Sequence, residues 1–217
     1  MILSAMGRNG AILAAFAIVA TALLMFTQYL TADRIAAQQR NELMRTLSEL
    51  IPSDSYNNDL YADCTEIIEP TVLGNKLPQP IYRARLNGQP AALAVRTTAP
   101  DGYSGDIHLL VAIGHTGKVL GARVLDHRET PGLGDKVDPR RSDWIYSFSN
   151  ERVRDANDPR WQVRRDGGAF DQFTGATITP RAVINAIQRT VVWVNEHQPM
   201  LFQAPIQCTN NAPITEE

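Results

Sequence analysis

From Asn9 to Ala32 the chain carries no charged side chain, and Gly10–Leu30 is mostly Ala, Ile, Leu, Val, Phe and Met. An apolar run of about 20 residues can cross a bilayer as a helix. Residues 9–32 are therefore predicted to form one transmembrane helix behind a short flank, residues 1–8. The other reading is a cleaved secretory signal with Arg8 as its basic start. Such signals have a shorter apolar core, about 7–15 residues, and Thr31-Ala32-Asp33 makes a poor cleavage site. The flanking charges do not favour export of the C-terminal portion. Arg34, Arg40 and Arg45 lie on that side of the run, against Arg8 and the terminal amine on the other.

Beyond the apolar run the pattern stays helical. Leu43, Leu47 and Ile51 recur at i, i+4 and i+8, so a helical stalk is expected to end near Pro52 and pass into a polar loop, making one segment of residues 33–60. A folded domain is expected over residues 61–198. Its first half reads as four antiparallel strands: Ile81–Leu86, Ala91–Thr98, Ile107–Ile113 and Val119–Leu125. Asn87-Gly88 between the first two is a hairpin signal, and the continuous apolar run 107–113 suits a strand buried on both faces. Residues 127–134 (HRETPGLG) are too rich in Gly and Pro for a regular element. A short helix is expected at 140–148 and a further strand at Trp161-Gln162-Val163. A clear helix follows, capped by Thr179, with Pro180 in its first turn and Val183, Ile187 and Val191 on one face, running to about Glu196. Residues 199–217 read as a polar tail. The fold class is α+β: a transmembrane helix, then one domain with an antiparallel sheet and packed helices.

Charge removes one class of function. With 21 basic and 23 acidic residues and no basic cluster, nothing points to nucleic acid. The four histidines and two cysteines show no metal-ligand spacing, so no metal site is expected. Cys64 and Cys208 flank the domain; they are either a disulfide joining its ends in an exported compartment or two unrelated thiols.

The candidate chemistry sits at residues 171–180, DQFTGATITP. Gly175 and Ala176 allow a ligand close to the backbone. Thr174, Thr177 and Thr179 place three hydroxyls within six positions, and a helix begins at once. The free N–H groups and positive partial charge of a helix start suit an anion such as phosphate. Ordinary capping by these threonines is the alternative. The segment fits neither the P-loop nor the GxSxG pattern.

Asp171, Thr174, Gly175, Ala176 and Thr177 resemble the flavinylation motif of the FMN-binding domain family. Glu129-Thr130-Pro131-Gly132-Leu133-Gly134 resembles that family's second signature, and Asp101–Gly105 followed by an apolar strand fits as well. With the single N-terminal membrane helix, the chain is similar over nearly its whole length to the G-type subunits of Rnf (Rsx) electron-transport complexes. The C-type subunits of sodium-pumping NADH:quinone reductases share the motif but are usually longer.

The resemblance implies one covalent FMN, joined by a phosphoester to Thr177 and attached by a separate flavin transferase. It implies that Asp171, Thr174, Gly175 and Ala176 are read by that transferase. Thr179, Glu129, Thr130, Gly132 and Leu133 are then expected near the cofactor, with Trp144 and His127 as further ring contacts or, more blandly, as core and turn residues. The implied role is an electron-carrying subunit rather than an independent enzyme. It would relay electrons among iron–sulfur and flavin partners of a ferredoxin/NAD-linked complex that moves ions. The implied place is the bacterial inner membrane, single-pass, with the C-terminal domain periplasmic. A structural or assembly subunit without redox turnover is the competing reading, and for it the threonine-rich turn would be capping alone.

Overall fold

The computed structural model describes residues 2–208, with side chains from Met6 onward. The chain divides into two compact units, Met1–Leu43 and Met44–Glu217. The first is helical throughout. It is the larger part of α1, Ile2–Leu50, and every side chain from Met6 to Leu30 is exposed. Exposure of Phe16, Leu23, Leu24 and Phe26 to water would be costly, so such a helix calls for an apolar surround. This is the apolar helix that the sequence pattern predicted, long enough to cross a bilayer.

The second unit is built on one antiparallel meander in the order β1-β2-β3-β4-β5. The strands are β1 Cys64–Ile67, β2 Gln79–Leu86, β3 Gln89–Ala99, β4 Ile107–Gly114 and β5 Val119–Asp126, and a single helical turn, α2 Pro70–Leu73, lies between β1 and β2. The four predicted strands are all present, and β1 is a fifth that the pattern did not reveal. Asn87 and Gly88 have φ of 53° and 79°, the left-handed pair that a tight I′ hairpin turn needs. Across the sheet Ile81 faces Val95 and Val95 faces Val111. Because side chains alternate, these share one face with Leu93, Leu109 and Ile113. That face forms the core with Val183, Ile184, Ile187, Val191 and Val194 of α3, Ile178–Gln203. β4 is buried at all eight positions, as expected for a strand covered on both sides.

On the other face Ala94, Ala112 and Gly121 form one row of small residues across β3, β4 and β5. A Cβ at Gly121 would meet Leu50 Cδ2 at 2.9 Å, so the last turn of α1 lies directly on β5. Leu47, Leu50 and Ile51 are buried there. Arg123 of β5 adds an ion pair to Glu49 at 3.4 Å and a cation–π contact over Tyr146 at 4.6 Å.

Three expected features differ. Residues 140–148 contain a 3₁₀ helix, Asp143–Phe148, capped by Ser142. Trp161–Val163 is not a strand; Val163 makes only an isolated bridge to Phe170. Trp161 is instead buried among Phe148 and Phe170, with ring centroids at 5.8 and 5.1 Å. The third difference is the length of α3. It continues past Glu196 and through Pro199 to Gln203, so residues 199–203 are helix rather than tail. The remainder of the expected tail, residues 209–217, lies outside the described residues.

The extension of α3 has a local cause. The last carbonyls of a helix need partners, and here two arginines of β2 supply them. Arg83 Nη1 donates to Leu201 O at 3.2 Å and to Ala204 O, and Arg85 Nη2 donates to Phe202 O at 2.6 Å. Asp63 holds both arginines, accepting from Arg83 Nε at 2.6 Å and Arg85 Nε at 2.7 Å. Just beyond, Cys208 is joined to Cys64 as a disulfide with Cα atoms 5.7 Å apart. Arg83 is only 2% exposed, so its charge depends on Asp63. Breaking a buried pair from one side costs about 3–5 kcal/mol. Asp63→Ala is expected to lose stability of that order, read as a lower thermal midpoint of the detergent-solubilised chain. An unchanged midpoint would show that the carbonyls alone satisfy the arginines.

Candidate functional site

The residues of the threonine-rich motif form a tight turn followed by the start of α3. Ala176 N donates to Phe173 O at 3.1 Å, and Gly175 sits at φ 81°. A turn with a positive φ at its third residue is type II and favours glycine there. Space does not demand the glycine, since an added Cβ would sit in ordinary contact with Leu133 Cδ2 at 3.5 Å; the positive φ does. Thr177 is the N-cap of α3, with φ −91° and ψ −23°, but its side chain makes no capping hydrogen bond. The hydroxyl is therefore not committed to the helix.

Thr179 does not cap the helix, contrary to the sequence expectation. It is completely buried two residues further on, and its Oγ1 donates to Glu129 Oε2 at 2.5 Å. The other carboxylate oxygen of Glu129, Oε1, accepts from Ser104 N at 3.0 Å. Glu129 is itself buried, at 5% exposure. His127 reaches the same residue from the near side, its Nδ1 accepting from Glu129 N at 3.1 Å. A histidine that reads as a bland turn residue thus holds the backbone of the loop.

Together these segments enclose a cavity of about 240 Å³, open to solvent and lined by Tyr103, Glu129, Thr130, Leu133, Gly134 and Gly175–Thr179. Seven of the eleven residues expected at the cofactor line it: Glu129, Thr130, Leu133, Gly175, Ala176, Thr177 and Thr179. Gly132, Asp171, Thr174 and Trp144 do not. Gly132 lies in the turn closed by Leu133 N and Gly134 N on Thr130 O, both at 3.1 Å, and its φ of 79° makes that turn possible. Thr174 is exposed at the tip of the motif turn. The Asp171 carboxylate points outward to Arg164 at 3.1 Å, with both side chains largely exposed.

Trp144 does not line the cavity and braces the motif from outside. Its Nε1 donates to Asp171 O at 2.7 Å, and its ring meets Phe148 and Phe173 edge-on at 5.1 and 5.0 Å. It ties the start of the motif to the aromatic core. Tyr103, Gly134 and Ile178 also line the cavity and were not among the named candidates, although Tyr103 and Gly134 fall inside the 101–105 and 129–134 segments that carry the resemblance.

The electrostatics favour an anion held by backbone rather than by a guanidinium. Arg181, in the first turn of α3, is engaged by Asp166 through a two-point contact of 2.7 and 2.8 Å. Its guanidinium holds the Asp166 carboxyl below the usual carboxylate range. What remains for a ligand at the head of α3 is the Ile178 and Thr179 N–H groups, Pro180 having none, and the helix dipole. An uncommitted threonine hydroxyl, small residues beneath it and an apolar rim fit a planar group carrying a phosphate.

A domain that presents this pocket at a helix start belongs to a recognised class. Residues 102–192 match the FMN-binding domain family, a span that contains every residue lining the cavity. Residues 1–50 match the RnfG N-terminal region, which coincides with α1. The chain is 47% identical over 206 residues to the G-type subunit of the ion-translocating oxidoreductase complex of Vibrio atlanticus, covering 95% of this chain and 98% of the relative. It is 48% identical over 206 residues to the same subunit of a Vibrio cholerae O395 strain, with 95% and 98% covered. The corresponding Shewanella amazonensis protein is 45% identical over 209 residues, with 96% and 97% covered. The chain belongs to the family of G-type subunits of ion-translocating oxidoreductase complexes.

Gly134 tests the packing around Glu129. A Cβ there would meet Glu129 Oε2 at 2.5 Å and Thr179 Oγ1 at 2.8 Å. Gly134→Ala is expected to force the pair apart and lower stability by about 1–3 kcal/mol, the usual cost of overpacking a filled site. A melting curve that matches the wild type would show that the loop yields without cost.

Proposed function

We propose that this chain is the membrane-anchored flavin subunit of an Rnf-type complex, holding one FMN by a phosphoester to Thr177. The observation that carries the site is the Thr177 side chain. It stands at the N-cap of α3, lines the cavity and makes no capping hydrogen bond. An N-cap threonine normally turns its oxygen onto the N2 or N3 amide; N3 here is Pro180, which has no N–H, and the hydroxyl is left facing the cavity with the Ile178 and Thr179 amides beside it. Bound FMN supplies the capacity to accept and release electrons; the chain supplies position, an apolar surround and fixed dipoles.

Attachment needs a donor and an enzyme that this chain does not itself provide. With FAD as donor, a flavin transferase would form the Thr177 Oγ1–phosphorus bond while the pyrophosphate bond breaks. AMP would leave and the hydroxyl proton would be released. The exposed Asp171 and Thr174 at the outer edge of the motif are suited to being read by such an enzyme.

The FMN-binding domain and the G-type relatives support an electron relay within a multi-subunit complex. The uncharged stretch of α1 gives no ionisable side chain between Asn9 and Ala32 apart from the Tyr29 phenol, so an ion path would run through partner subunits. Ferredoxin- and NAD-linked partners belong to the same reading. So does placement of the domain on the periplasmic side of the inner membrane. The Cys64–Cys208 disulfide supports that side, since such bonds persist in oxidising compartments. The arginines after the membrane run argue the other way. A reporter fused after the domain is expected to be active only in the periplasm; cytoplasmic activity would reverse the topology.

Intact mass decides the cofactor. Co-expressed with a flavin transferase, the wild-type chain is expected to gain the mass of FMN less one water, and Thr177→Ala to gain nothing. If a control substrate is flavinylated while this chain stays unmodified, a structural subunit becomes the better description.

A further inference from the structure

Three large apolar side chains stand exposed at the mouth of the cavity. Tyr103 is 66% exposed, Ile178 49% and Leu133 43%. They come from three separate segments: the turn at 102–105, the first residue of α3 and the loop at 129–134. A lone exposed apolar residue is ordinary on a protein surface. Three of them around one concave opening make a patch that is suited to cover something flat and apolar.

Tyr103 is also held in place more firmly than its exposure suggests. Ser104 N donates to the buried Glu129 carboxylate at 3.0 Å. A Cβ on Gly102 would collide with Gly105 O and would lie 3.0 Å from Glu129 Oε1. Gly105 turns the chain with φ 115°. The turn is therefore closed and pinned, while the phenol it carries is left in solvent. A fixed backbone bearing an unpacked aromatic ring beside a ligand cavity is a preorganised contact: the ring loses little freedom when a partner arrives.

We propose that Tyr103 packs against the flavin ring and, with Leu133 and Ile178, shields it from water, and that Glu129 acts as the positioning residue that holds the Tyr103 turn. This rests on the FMN reading above and adds the part of the chain that contacts the ring rather than the phosphate. It also gives the buried Glu129–Thr179 bond a purpose beyond packing. One carboxylate fixes both the start of α3, which carries Thr177, and the turn that carries Tyr103.

The test uses the full-length flavinylated chain in detergent. A phenol in contact with a flavin quenches its fluorescence: an electron passes to the excited ring and returns, with no net chemistry. Tyr103→Ala is expected to keep the covalent flavin mass, to become several-fold brighter and to let iodide reach the flavin more readily. Tyr103→Phe, which keeps the cover but cannot donate the electron as readily, is expected to brighten while its iodide access stays near the wild-type value. Glu129→Ala, with Tyr103 intact, is expected to brighten and open as Tyr103→Ala does. A flavinylated Tyr103→Ala with wild-type fluorescence and iodide access would overturn the contact. If Tyr103→Ala responds and a flavinylated Glu129→Ala does not, the positioning role of Glu129 falls. A wild-type chain that carries no flavin would remove the FMN reading itself, and this inference with it. Tyr103 is largely in solvent, so its substitution leaves the fold intact.

Discussion

The site depends on one buried carboxylate. Glu129 receives a hydroxyl from Thr179 and a backbone amide from Ser104, and its own amide is bonded to His127. Those bonds join the head of α3, the turn before β4 and the loop after β5. Hydrogen bonds to a charged group contribute about 1.5–3 kcal/mol each, and a buried carboxylate stripped of donors is strongly disfavoured. The three segments are thus held together by the need to satisfy a single side chain. A Cβ at Gly134 would press on that carboxylate, and one at Gly102 would collide first with the Gly105 carbonyl and then lie close to Glu129.

Much of this was legible in the sequence, for identifiable reasons. β2 to β5 announced themselves through apolar runs broken by Asn-Gly, Gly-rich and His-Thr-Gly turns. The 9–32 span was visible because membrane insertion demands continuity of apolar residues. Around Thr177 the sequence showed a turn and a helix start, because each imposes a residue type locally, while its spacing left capping and anion binding both open. β1 escaped because it is four residues long and mixes Cys, Thr, Glu and Ile. The true end of α3 escaped because Pro199 and the polar residues near it read as a stop, whereas the partners that prolong the helix lie on β2. Trp144 read either as a ring contact or as a core residue, and the sequence offered no way to choose. Its indole N–H had a nearer claim, the carbonyl of Asp171. Tyr103 had no periodicity to betray it, since turn residues follow backbone need and not a repeating pattern.

The same division explains how the domain separates rigidity from access. Its aromatic cluster of Phe148, Trp161, Phe170 and Phe173 is buried and lies next to the motif through Trp144. The mouth of the cavity, in contrast, leaves apolar groups in solvent. Residues that hold the motif are covered, and residues that would meet a ligand are not. The exposed ion pairs around it, such as Arg181–Asp166 and Arg164–Asp171, contribute little to stability. They do engage the guanidinium groups of Arg181 and Arg164 with carboxylates of their own.

The arginine-capped end of α3 bears on how the protein is made. The carbonyls of Leu201, Phe202 and Ala204 meet donors more than a hundred residues earlier in the chain, at separations of 117 to 121. Until that last stretch has left the ribosome, β2 carries a guanidinium with no acceptors except Asp63, and the sheet has no finished helix over one end. Contacts so distant in sequence are slow to form because a long loop must close first. The end of α3 and the second strand of the sheet are thus completed by one another, across most of the length of the domain.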